Sequence, residues 1–143
     1  MANLKAFFKA NSIQMDNVKY VASKRFIDPE TNEPIEWEIK NIDTATDEMI
    51  RKDCTKRVPV QGKRGMYVPE LDTDAYTGRL CVACTIFPNL NDTELQNDYG
   101  VMDGVALLKA MLTSGEYTNY KTKVAEINGY DVGMDDLVEE AKN

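Results

Sequence analysis

Two thiols spaced as Cys81-Val82-Ala83-Cys84 are the most suggestive chemical feature of the chain. A dithiol of this spacing does redox work when its first sulfur sits exposed at a helix N-terminus, where the thiolate is stabilised. Here both sulfurs fall inside the apolar run Leu80 to Phe87, well past the point where a helix opening near Asp72 begins. Buried cysteine behaves as a small hydrophobe, so core packing is the expected role. Zinc would need four ligands, and only Cys54 remains, with 0 histidines to help. That lack also removes the side chain that most often moves protons near neutral pH. Carboxylates are plentiful, but no pair is marked by spacing for acid/base work. Asp72, Asp74, Asp135 and Asp136 suit helix starts, where negative charge meets the macrodipole. No glycine-rich phosphate loop, nucleophile elbow or metal-loop pattern occurs. The residues point away from catalysis, and neither a cofactor nor a metal is expected.

Charge is unevenly placed. Through Leu90 acidic and basic residues cancel, 13 against 13; beyond it 11 acidic residues face only Lys109, Lys121, Lys123 and Lys142. A pI near 4.6 disfavours nucleic acid, whose phosphates call for a surplus of Lys and Arg. One basic segment, residues 51–64, stands out: Arg51, Lys52, Lys56, Arg57, Lys63 and Arg64 are opposed only by Asp53. It reads as a solvated helix end and hairpin loop, or as a grip on an acidic partner or a nucleic-acid backbone. The latter makes a nucleic-acid-binding accessory protein the alternative function. The same segment could meet the acidic third of a second copy, which would be head-to-tail self-association.

The elements that must position these groups follow from periodicity and turn chemistry. With 143 residues the chain fits one domain. Leu4 to Lys9 suits a short amphipathic helix ending near Asn11. Val18 to Ile27 reads as a strand, and Asp28 to Pro34 as a turn. Ile35, Trp37 and Ile39 alternate with Glu36, Glu38 and Lys40, giving a second strand with one apolar face. Paired as a hairpin, these strands would set Lys24 and Arg25 across from Glu36 and Glu38. Thr44 opens a helix, and Arg57 to Glu70 forms another hairpin around Gly62 and Gly65, with Pro59 and Pro69 confining it to an edge or to irregular pairing. From Asp72 the chain is helical until Pro88. Asn91 with Glu94 opens a short helix ended by Gly100, and Thr113 with Glu116 forms a capping box for a helix ending before Gly129. The architecture is α+β: a single domain over residues 1–130, β-rich over 15–70 and helical over 71–130. An acidic amphipathic helix over 131–143 follows, able to swing on Gly129 and Gly133.

Two apolar surfaces invite a partner. Val101 to Leu112 is apolar on more than one face, so Val105, Leu108, Met111 and Leu112 are candidate binding residues, with methionine suiting an adaptable groove. Met134, Leu137, Val138 and Ala141 form a stripe on the terminal helix, which adds Leu137 and Val138. Each could equally dock on its own domain. The first residues lack the apolar core and cleavage site of a signal peptide, and no stretch is long enough to cross a bilayer, so a cytoplasmic location and no membrane partner are expected.

The stretches SKRFIDPETNEPIEWEIK (Ser23 to Lys40), CTKRVPVQGKRGMYVPELDTDAY (Cys54 to Tyr76), FPNLNDTELQNDYGVM (Phe87 to Met102), LLKAMLTSGEY (Leu107 to Tyr117) and VAEINGYD (Val124 to Asp131) carry a further signal. Together they resemble the XkdN-like family of phage tail assembly chaperones. The likeness runs from about Leu4 to Asp131, and the acidic tail beyond is less typical. It implies a non-enzymatic role in building the tail of a phage or prophage. Such proteins are thought to coat the tape measure protein, to help recruit tail tube subunits, and to be absent from the mature virion. The resemblance places the chain in the cytoplasm of a bacterial host.

Overall fold

Residues 3–130 are described by the computed structural model, and they form an α+β fold with antiparallel strands in the N-terminal half and helices mostly in the C-terminal half. The expected terminal helix over 131–143 lies outside them, as do Leu137 and Val138. Two 3-10 turns, Leu4–Phe7 and Lys9–Asn11, replace the amphipathic helix expected at the start, and neither buries a residue.

Strand β1 (Val18–Tyr20) pairs antiparallel with β2 (Trp37–Ile39). The alternation seen in the sequence holds: Trp37 and Ile39 are 1% and 0% exposed, while Glu38 between them is half-buried. The register differs from expectation. Lys19 sits opposite Glu38 and reaches it at 3.2 Å, because β1 stops at Tyr20. Beyond it Ala22 and Ser23 are buried, and Ser23 Oγ accepts from the Arg25 amide at 3.2 Å, which turns the chain out of the sheet. Arg25 then donates to the carbonyl of Met111 and to Glu116.

Helix α1 (Thr44–Asp53) is capped by Asp43, one residue before the expected start. Strands β3 (Thr55–Pro59) and β4 (Tyr67–Leu71) form a two-stranded ribbon separate from the other sheet. Helix α2 (Thr73–Cys84) is the central post, with Tyr76, Gly78, Leu80, Cys81 and Cys84 buried around it. The sequence suggested that this helix runs on to Pro88, but it ends at Cys84. Thr85–Phe87 is strand β5, which pairs with β2 and makes the sheet order β1-β2-β5. Thr85, Ile86 and Phe87 are β-branched or aromatic and favour the pleated form. Lys40 N–H donates to the Cys84 carbonyl at 2.8 Å, tying the end of α2 to the sheet.

Three more helices complete the described chain: α3 (Thr93–Asp98), α4 (Gly104–Met111) and α5 (Ser114–Ile127), opened by Asp92, Asp103 and Thr113. The capping box of Thr113 and Glu116 forms as read from the sequence. Helices α4 and α5 pack on α2. Tyr120 of α5 sits edge-on to Trp37, with centroids 5.3 Å apart. Buried side chains from β2, α2, α4 and α5 thus form one cluster.

Candidate functional site

Both thiols of the CxxC pair are buried. Cys81 and Cys84 are both 0% exposed on α2. Burial pushes the Cys81 thiol up to about 12 and raises that of Cys84 as well. Asn128 Nδ2 lies 3.3 Å from Cys84 Sγ, so this sulfur acts as an acceptor inside the core. Among the described residues, no group of three or more Cys, Asp or Glu is placed to hold a metal ion.

The wide apolar surface read into the helical half is mostly core. Leu108 is 0% exposed, and Met111 and Leu112 are each 5% exposed. These three residues are therefore covered by the described protein itself and form no open face. Helix α4 is apolar on several sides because both α2 and α5 cover it. Val105 is half-buried. Its side chain fits where a Cβ on Gly78 would come within 2.8 Å of Val105 Cγ1, so a glycine lets α2 and α4 approach closely. Val105 also lines a shallow groove with Ile50, Val82 and Ala83. Leu137 and Val138 fall beyond the described residues.

The basic segment divides in two. Arg51 bonds Asp47 at 2.9 Å and its guanidinium lies over the Tyr76 ring, while Lys56 reaches Asp72 at 3.1 Å. Arg57, Lys63 and Arg64 form no ion pair among the described residues and stand on the β3–β4 ribbon. That ribbon is an outstretched arm. Its base is held by the Asp72 N–H donating to the Cys54 carbonyl at 2.8 Å and by Thr55 Oγ1 donating to the Arg51 carbonyl at 2.7 Å. Gly62 and Gly65 take φ of 80° and 79°, which lets the tip reverse. Val58 pairs with Val68, and the Val60 N–H donates to the Met66 carbonyl at 2.9 Å. By pleat alternation those four side chains share one face. Val58 and Val60 are half-buried, whereas Met66 and Val68 are exposed.

Two apolar regions were not singled out from the sequence. Leu4, Phe7, Phe8, Ile13 and Met15 are all exposed, with Ile13 at 96%. Their segment is organised by its own hydrogen bonds, such as Asn11 Nδ2 to the Lys5 carbonyl at 2.8 Å. A contact to the rest of the protein is Asn41 Nδ2 to Met15 Sδ at 3.4 Å. The signal was present in Phe7-Phe8 and Ile13, but an amphipathic reading assigns such residues inward. The second region is a shallow, open cleft of ≈ 540 Å³ beside β5, lined by Phe87, Pro88 and Leu95 together with Asp92, Glu94 and Asp98. It was hidden because Phe87 was read as the end of a core helix.

Comparison with known proteins agrees with an assembly role. A family described as phage XkdN-like tail assembly chaperone protein matches residues 4–142, so the match continues through the acidic tail where the resemblance in the sequence faded. The phage-like element PBSX protein XkdN of Bacillus subtilis (strain 168) is 34% identical over 99% of this chain and 94% of that protein. The protein YqbN of the same strain is 37% identical over 99% of this chain and 93% of its own length. A crystal structure of YqbN superposes with a TM-score of 0.77, covering 92% of this chain and 99% of that one at 30% identity.

Proposed function

Since the chain belongs to the XkdN-like family of phage tail assembly chaperones, we propose that it is a non-catalytic holder of the tape measure protein, acting in the host cytoplasm and leaving before the tail is complete. The observation that carries this reading is the exposed apolar segment from Leu4 to Met15. Large apolar side chains grouped on a surface mark a protein-binding region. Burying one such side chain fully is worth about 1.5–3 kcal/mol. A few of them give a contact strong enough to cover an apolar helix face yet weak enough to let go. Repeated along a rod, such contacts accumulate through multivalency while each remains reversible. Recruitment of tail tube subunits belongs to the same reading, and the acidic balance of the C-terminal third keeps a coated client apart from other coated clients.

The test is co-expression with a tape measure fragment. The wild-type chain should carry the fragment into the soluble fraction and co-purify with it. Phe7→Asp with Phe8→Asp should abolish capture while leaving the melting curve intact, because neither residue is buried. Leu108→Asp should unfold the protein, since an unpaired carboxylate is forced into a 0% exposed site. A fragment that stays insoluble with the wild-type chain, or full capture by the Phe7/Phe8 variant, rejects the reading.

A further inference from the structure

We propose that copies of this chain associate head to tail, with the β3–β4 ribbon of one copy seated in the Phe87–Leu95 cleft of the next. This goes beyond the client-binding role and does not rest on it.

The ribbon supplies the first reason. A lone two-stranded hairpin is marginal in water unless something covers one face. This one makes its main contacts between its own two strands, yet it presents the Val58, Val60, Met66 and Val68 face with Met66 52% and Val68 46% exposed. Pro59 and Pro69 place a residue without an amide donor in each strand. They interrupt the donor rows that indiscriminate strand addition would use. The ribbon is therefore built to dock by its side chains.

The cleft supplies the second. Its lining has the matching chemistry, with Phe87 52% exposed beside half-buried Leu95. It also borders β5, the outer strand of its sheet. Charge supplies the third reason. Arg57, Lys63 and Arg64 ring the ribbon, while Asp92, Glu94 and Asp98 line the cleft, and none of these six forms an ion pair among the described residues. Opposite charges around two apolar patches select the pairing and speed encounter. A ribbon reaching roughly 20 Å from its base, at about 3.3 Å per residue, is long enough to enter a neighbour. Because the two surfaces differ, the contact is heterologous and generates a ring or an open helical array rather than an isologous dimer.

Sedimentation of the full chain over rising concentration at low salt tests this. The mass should climb above the monomer and fall back as salt is added. Lys63→Glu with Arg64→Glu should weaken association about a hundredfold, as should Glu94→Lys with Asp98→Lys, because like charges then face each other. Unchanged melting curves identify both variants as folded. Mixing the two in equal amounts should restore association, since each retains the wild-type partner of the other's wild-type surface. A monomer at every concentration overturns the proposal. So does association that ignores both reversals, or a mixture that stays dissociated.

Discussion

Gly78 shows how much one hydrogen atom decides at a helix crossing. Its missing side chain admits Val105, and a Cβ there would approach Val105 Cγ1 at 2.8 Å and the Tyr117 hydroxyl at 3.3 Å. Gly104 makes the reciprocal concession, for a Cβ on it would meet Val82 Cγ1 at 2.9 Å. Overpacking a tight contact costs typically about 1–3 kcal/mol. Gly78→Ala should therefore lower the unfolding free energy by that amount, and the urea midpoint with it, despite the better helix propensity of alanine. A urea titration checks it, and an unchanged or raised midpoint would mean that Val105 turns aside freely. The same packing explains why Leu108 and Met111 are covered although the sequence offers them as a binding face. Composition marks a residue as apolar, but whether a neighbour covers it depends on two glycines whose role is visible only once α2 and α4 are placed.

At the scale of elements, local chemistry is what the sequence reveals well. The box of Thr113 and Glu116 forms as anticipated: the Thr113 N–H donates to Glu116 at 2.9 Å, and the Glu116 N–H donates to Thr113 Oγ1 at 3.2 Å. Replacing an N-cap threonine by alanine costs about 1 kcal/mol. Thr113→Ala should show that loss in thermal unfolding, and a neutral result would assign the start of α5 to packing alone. The alternation at Trp37 and Ile39, the hairpin with its two glycines and the buried pair Cys81 and Cys84 were equally legible, since each depends on near neighbours in the chain. Pairing across distance was not. Lys19 rather than Lys24 meets Glu38, and Thr85–Phe87 leaves the helix to join β2. Both outcomes depend on where Trp37 and Ile39 must lie to be buried. The exposed segment from Leu4 to Met15 was not legible for another reason: an amphipathic helix over Leu4 to Lys9 implies one covered face, and the two 3-10 turns there bury no residue.

For the molecule as a whole, the absence of histidine joins the pKa shifts to give a definite pH profile. Asp72, Asp43 and Glu116 are held below the ordinary carboxylate range, first by hydrogen bonds from Ala75, Thr46 and Thr113. Burial pushes Asp47 the other way, but hydrogen bonds from Tyr76 and Arg51 outweigh it and leave that carboxyl depressed too. Depressed carboxyls stabilise the fold fully above their unfolded values, near 4, and that contribution is lost as pH falls through the folded values. Burial raises the thiols of Cys81 and Cys84 and the phenols of Tyr76 and Tyr120. Raised acids stabilise the fold fully below their unfolded values, 9.0 for the thiols and 10.0 for the phenols, and the contribution is lost as pH climbs through the folded ones. Between these limbs no side chain has an ordinary pKa in the neutral range, which histidine alone would occupy. The melting temperature should therefore be flat from about pH 5 to 8 and fall on both sides, with the acid limb beginning near pH 4. Calorimetry across that range decides the matter. A slope near pH 6 to 7 would require a carboxyl raised into the neutral range, opposite to the shifts of Asp43, Asp47, Asp72 and Glu116, or a thiol lowered into it, opposite to those of Cys81 and Cys84, and would overturn this profile.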